Sequence, residues 1–128
     1  MIDSSGSTIA VVDDDIRILQ SMGDLLESTG YVVRLYQSAQ SLLDSGESES
    51  LDCLITDLGM PTVDGFELCR RLRRENPDVA VIFMTAREGL NDHERADRVV
   101  HHGFFHKPFD AGELLTAVRA AVSPKSWT

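Results

Sequence analysis

Short apolar runs, each closed by a polar residue, limit what this chain can fold into. Val11-Val12 leads into Asp13-Asp14, Ile55-Thr56 into Asp57, Ile82-Phe83-Met84 into Thr85, and the stretch before it into Lys107-Pro108. Runs of this length suit strands and are too short for helices. In an open parallel sheet, ligands bind outside the carboxyl ends of the strands. Residues distant in sequence would therefore meet there in one shallow pocket of three carboxylates, a hydroxyl and an ammonium. Carboxylates so close repel one another unless a cation sits among them. The hydroxyl and ammonium suit an anion. A cation and an anion beside a nucleophilic carboxylate point to phosphoryl transfer.

The intervening segments carry helical spacing. Asp15 can cap a helix whose apolar face is Ile18, Met22, Leu25, Leu26 and Thr29, closed by Gly30. Tyr31 to Tyr36, rich in β-branched and aromatic residues, reads as a second strand. Ser38 can cap a short helix through Leu42 and Leu43, and Gly46 to Ser50 reads as a polar loop. The third strand is expected over Leu51 to Thr56, followed by a loop punctuated by Gly59, Pro61 and Gly65. Phe66, Cys69 and Leu72 give the next helix an apolar stripe, Arg70, Arg71, Arg73 and Arg74 its wet side, and Asn76-Pro77 its end. Val79 to Met84 is a continuous apolar strand, as expected of one covered on both faces.

Asn91 to His101 is predicted helical, with mixed charges and few apolar residues, and Gly103 to His106 is a short strand. Asp110 and Glu113 form a capping-box-like start to a last helix, in which Leu114, Leu115, Val118 and Val122 face the core before Pro124. Strand and helix alternate five times, which argues for a doubly wound α/β fold around a parallel sheet. The alternation does not give the strand order.

A chain of 128 residues, 42% hydrophobic and 26% charged, suffices for one compact domain. The expected division is a disordered arm over residues 1–7, one domain over 8–123, and a tail or linker start over 124–128. No apolar run approaches the roughly 20 residues of a membrane helix. Residues 1–7 lack the basic start and apolar centre of a secretory signal, so a cytoplasmic location is expected. The formal charge of -9 repels a phosphate backbone, so direct nucleic-acid binding by this domain is not expected. Cys53 and Cys69 lack C-x-x-C spacing and read as reduced apolar packers. His101, His102 and His106 have no carboxylate or cysteine at ligand spacing and read as exposed.

Four pieces together carry a resemblance: Val11-Val12-Asp13-Asp14-Asp15, Ile55-Thr56-Asp57-Leu58-Gly59-Met60-Pro61 with Asp64-Gly65, Met84-Thr85-Ala86, and Lys107-Pro108-Phe109. In this order and at strand ends, they make the chain resemble the response regulator receiver domains of two-component signalling. Gly30-Tyr31, Tyr36-Gln37-Ser38-Ala39 and Thr56-Asp57 look most like the nitrogen-fixation FixJ branch, whose members often carry a C-terminal helix-turn-helix.

The resemblance implies a flavodoxin-like fold of five parallel strands ordered 2-1-3-4-5 with five helices. It implies Asp57 as the phosphoacceptor, taking a phosphoryl group from a sensor histidine kinase to give an aspartyl phosphate. It implies Mg²⁺ bound by Asp14 directly, Asp13 chiefly through water, Asp57 and the Gly59 carbonyl. Lys107 and Thr85 would contact the phosphoryl group, and a shift of Thr85 would make room for Phe104, three residues before the lysine. Pro108 is a candidate cis-proline. Gly59 and Arg87 occupy positions that tune phosphate lifetime in relatives. Gly59 leaves the site open, whereas Arg87 could cover it or contact phosphate. Val99-Val100-His101-His102-Gly103 replaces a small Ala-Gly-Ala-like stretch, in a region that usually carries the output interface.

Such a domain accepts a phosphoryl group and loses it to water, and is not a multi-turnover enzyme on an outside substrate. Its output would be transcriptional control through a DNA-binding domain outside this chain, with homodimerisation on phosphorylation left open. Two other readings compete. A haloacid-dehalogenase-like phosphatase would use Asp13 as nucleophile, but the chain lacks that class's second acidic motif after the lysine. A pseudo-receiver would bind partners without phosphotransfer, although every side chain the chemistry needs is present. The blander reading of Asp13 to Asp15 is a helix cap, and of Phe104 a plain core residue.

Overall fold

The structure, a computed structural model, describes residues 6–86 and 90–123. The strands are β1 (Thr8–Val12), β2 (Val32–Tyr36), β3 (Cys53–Asp57), β4 (Ala80–Thr85) and β5 (Gly103–His106). All pair in parallel, in the order β2-β1-β3-β4-β5. Helices α1 (Ile16–Ser28), α2 (Ala39–Asp44), α3 (Gly65–Glu75), α4 (Leu90–Asp97) and α5 (Ala111–Val122) connect or follow them. This is the doubly wound sheet expected from the alternation, with the order the resemblance implies.

The central strands are buried on both faces, so successive residues feed two cores. Ala10, Val12, Leu54, Val81 and Phe83 pack with Leu42, Leu68 and Leu72 beneath α2 and α3. Ile9, Val11, Ile55, Ile82 and Met84 pack with Leu19, Met22, Leu26, Leu114 and Val118 beneath α1 and α5. Each fully buried aliphatic side chain contributes about 1.5–3 kcal/mol of transfer free energy. The cysteines are free and buried in these layers, and desolvation pushes the Cys53 thiol up to about 12.

Helix starts follow their caps. The side chains of Asp15, Ser38, Asp64 and Asp110 accept backbone N–H bonds from Arg17, Ser41, Glu67 and Glu113. Gly30, with φ of 98°, takes the left-handed position just past α1.

The boundaries differ from expectation at several ends: β2 starts at Val32 rather than Tyr31, β3 at Cys53 rather than Leu51, β4 at Ala80 rather than Val79 and α4 at Leu90 rather than Asn91. β3 and β4 each extend one residue further, so Asp57 and Thr85 are the last residues of their strands. Ser48–Ser50 forms a short 3-10 turn inside the expected polar loop. Helix α4 stops at Asp97 rather than His101. Tight bonds from Arg98 N to Arg95 O and from Val99 N to Ala96 O close it there, ahead of two β-branched valines that disfavour helix. Of the expected arm, residues 1–5 lie outside the described residues, and Ser7 O accepts a bond from Val32 N. Pro124 and the tail also lie outside them.

Gly65 positions α3 by close approach. A Cβ there would lie 2.6 Å from the Asp57 carbonyl oxygen and 3.1 Å from Leu58 Cδ2. Any side chain must push the helix start away from the end of β3. Gly65→Ala is expected to destabilise the fold by about 1–3 kcal/mol through overpacking, measured by urea unfolding.

Candidate functional site

The first acidic cluster divides its work. Asp15 turns back to cap α1 and pairs with Arg17. Asp13, one residue past β1, is fully buried and points toward the strand-end pocket. The helix-cap reading thus holds for Asp15 and not for its neighbours. Oxygens of Asp13, Asp14 and Asp57 lie within 4.8 Å of one another, a grouping able to hold a metal ion. Asp13 and Asp57 are buried, whereas Asp14 is exposed at the mouth.

Lys107 supplies the positive charge. Its Nζ donates to Asp13 Oδ2 at 2.5 Å and lies 3.4 Å from Asp57 Oδ1. Asp13 Oδ1 is also occupied, accepting from Asp15 N at 2.9 Å. The Lys107–Pro108 peptide bond is cis. Backbone bonds fix the lip: Lys107 N donates to Thr85 O, Leu58 N to Met84 O, and Asp13 N to Tyr36 O. Thr85 is fully buried at the end of β4, and Gly59 is exposed two residues past Asp57. Arg87 lies outside the described residues.

The electrostatics follow from this crowding. Burial raises the Asp57 carboxyl above its usual value. The Lys107 charge pulls the other way, and the Asp13 charge adds to the rise. Burial alone would lower the Lys107 ammonium, but the Asp13 hydrogen bond and the Asp57 charge carry it above its ordinary value. A cation held by two carboxylates stays charged, while a carboxylate facing another carboxylate resists ionising.

Phe104 is half-buried against the core beneath α2 and α3 and lies beside Phe83 in the parallel register. Thr85 pairs with His106, so Phe104 sits two residues back on the same sheet face. His93 of α4 stacks on Phe104 with ring centroids 4.2 Å apart, and the His106 ring lies 5.5 Å from it. The sequence reading missed His93, because the weak periodicity of α4 gave no rotational register. His102 and His106 are exposed as expected. His101 is not: its ring packs 5.6 Å from Phe83, and its Nδ1 is buried without a hydrogen-bond partner among the described residues.

Two stability effects are expected without divalent cations. A folded-state carboxyl value above the unfolded one means that ionising Asp57 costs stability, a cost that grows as pH rises through the two values. Asp57→Asn should therefore raise Tm by a few degrees at neutral pH, with the gain vanishing below about pH 4. Lys107→Met leaves Asp13 buried without its counter-ion and should cost about 3 kcal/mol in urea unfolding.

Comparison with known proteins agrees with this geometry. The response regulator receiver domain family matches residues 9–119. The transcriptional regulatory protein FixJ of Azorhizobium caulinodans is 35% identical over 114 residues, covering 89% of this chain and 54% of that protein. The heme response regulator HssR of Staphylococcus epidermidis is 36% identical over 112 residues, covering 88% of this chain and 50% of that protein. The chain thus spans about half the length of these curated relatives. A receiver domain crystal structure from Clostridium thermocellum superposes with a TM-score of 0.82 at 30% identity, covering 91% of this chain and 94% of its own. Family match, relatives and fold agree that this chain belongs to the response regulator receiver domains of two-component signalling.

Proposed function

We propose that Asp57 is the phosphoacceptor and that a sensor histidine kinase is the donor. The observation that carries this reading is the placement of one ammonium, Lys107, between two buried carboxylates with a third at the mouth. Asp13 has both oxygens engaged, which leaves Asp57 as the better nucleophile and speaks against the phosphatase reading with Asp13 attacking. An Asp57 oxygen attacks phosphorus in line with the P–N bond of the kinase phosphohistidine. That bond breaks, and its electron pair stays with the imidazole nitrogen.

The donor set suits Mg²⁺: hard carboxylate oxygens of Asp13, Asp14 and Asp57, with the Gly59 carbonyl on the adjoining loop. Bound there, the ion would neutralise charge on the phosphoryl oxygens. Lys107 pairs with a phosphoryl oxygen from the opposite side of the pocket. The Thr85 hydroxyl donates to another, and its movement leaves space into which Phe104 turns from beneath His93. Phe104 lacks a hydroxyl, so packing alone drives that turn. The phosphoryl group is lost later to water, and the domain does not turn over an outside substrate.

In the parent protein this switch controls transcription through a DNA-binding domain outside the chain, as the FixJ relative suggests. Phosphorylation-dependent homodimerisation is the natural means of coupling the two.

Incubation with acetyl phosphate and Mg²⁺ should add one phosphoryl group, mapped by borohydride trapping and peptide mass spectrometry to Asp57. Asp57→Asn should abolish uptake, and Thr85→Ala should slow it about 100-fold. Label on Asp13 instead would overturn the assignment.

A further inference from the structure

Six of the chain's 12 basic residues lie in or just beyond two helices: Arg70, Arg71, Arg73 and Arg74 on α3, and Arg95 and Arg98 on α4 and the turn after it. A groove of about 660 Å³ runs between these helices, on the far side of α4 from the ring cluster of His93. Its apolar lining includes Phe66 and Val99, and its edge carries Val100, which is 76% exposed. Four arginines line it, Arg70, Arg73, Arg95 and Arg98, against two carboxylates, Asp64 and Glu67.

Those two carboxylates are already committed. Glu67 is gripped by Arg70 and Arg71, which hold its carboxyl down at about 2, and Asp64 caps α3 while facing Arg95 at 3.5 Å. Arg95 Cζ also lies over the Phe66 ring, 4.1 Å from its centroid. Among the described residues no carboxylate pairs with Arg73 or Arg98. The groove is thus cationic and apolar on a molecule of net charge -9. An exposed apolar edge rimmed by arginines has the composition of a protein interface.

From this charge complementarity we infer that the α3–α4 groove is a docking surface for an acidic protein segment that carries an apolar anchor. The anchor covers Val99 and Val100, and the segment's carboxylates pair with Arg98 and Arg73. An extended polyanion such as a nucleic acid fits less well, because the rest of the surface repels it and a phosphate backbone leaves the apolar lining unused. The groove contains the valines that terminate α4, so an occupant grips the helix whose other side holds the Phe104 ring. This surface is therefore placed to sense the position of α4.

The test uses a labelled helical peptide with two leucines four positions apart among glutamates, followed by fluorescence anisotropy on the whole chain. Saturable binding that weakens with salt, and at least about tenfold in Arg98→Glu and in Val100→Ser, supports the inference. Both substituted side chains are exposed, and unchanged Tm of the variants separates loss of binding from loss of fold. No saturable binding, or binding indifferent to both substitutions, overturns it. So does tighter binding of a labelled single-stranded oligonucleotide. So, too, does self-association through the groove, seen in sedimentation equilibrium and abolished by Arg98→Glu.

Discussion

Three carboxylates share one end of a sheet, and the Lys107 ammonium answers two of them. Lys107 reaches Asp13 and Asp57 together, and without that charge the buried pair would repel across a medium that screens poorly. The rest of the site is arranged around this balance. Strand order brings β1 and β3 side by side and sets β5 one strand beyond β4, so the lysine crosses over the end of β4 to reach both acids. The arrangement leaves an excess of negative charge, which suits the pocket to a cation.

The two layers of helices serve this edge differently. Helices α1 and α5 cover one sheet face with long aliphatic residues. The other face ends toward α4 in a looser arrangement: Ala96 buried, Phe104 half-buried, and imidazole rings laid against the phenyl. Ring stacking of this kind is worth on the order of 1 kcal/mol, small enough to be exchanged for another packing. The aliphatic layer and the ring-packed layer meet at β4, whose last residue is Thr85.

Much of this was legible in the residues. Apolar runs ending in Asp13, Asp57, Thr85 and Lys107 placed the pocket, because strand period and sheet polarity leave few other arrangements. Caps at Asp15, Ser38, Asp64 and Asp110 marked the helix starts, because side-chain acceptors beside unpaired N–H groups are local chemistry. What escaped depends on contacts between distant segments. The partial burial of His101 and the stacking of His93 on Phe104 are set by packing. A helix with few apolar residues carries no record of its rotation. The role of Gly65 was also hidden, since only the approach of α3 to the Asp57 carbonyl reveals why no side chain is tolerated.

The backbone bonds at the lip have a mechanical consequence. Asp13 N is tied to the Tyr36 carbonyl, Leu58 N to the Met84 carbonyl and Lys107 N to the Thr85 carbonyl. Each tie joins the residue at or just past one strand end to the last residues of its neighbour, like a selvedge that keeps woven cloth from unravelling. The ties run from β3 to β4 and from β4 to β5, so a displacement at the end of one of these strands is passed to its neighbour through backbone hydrogen bonds.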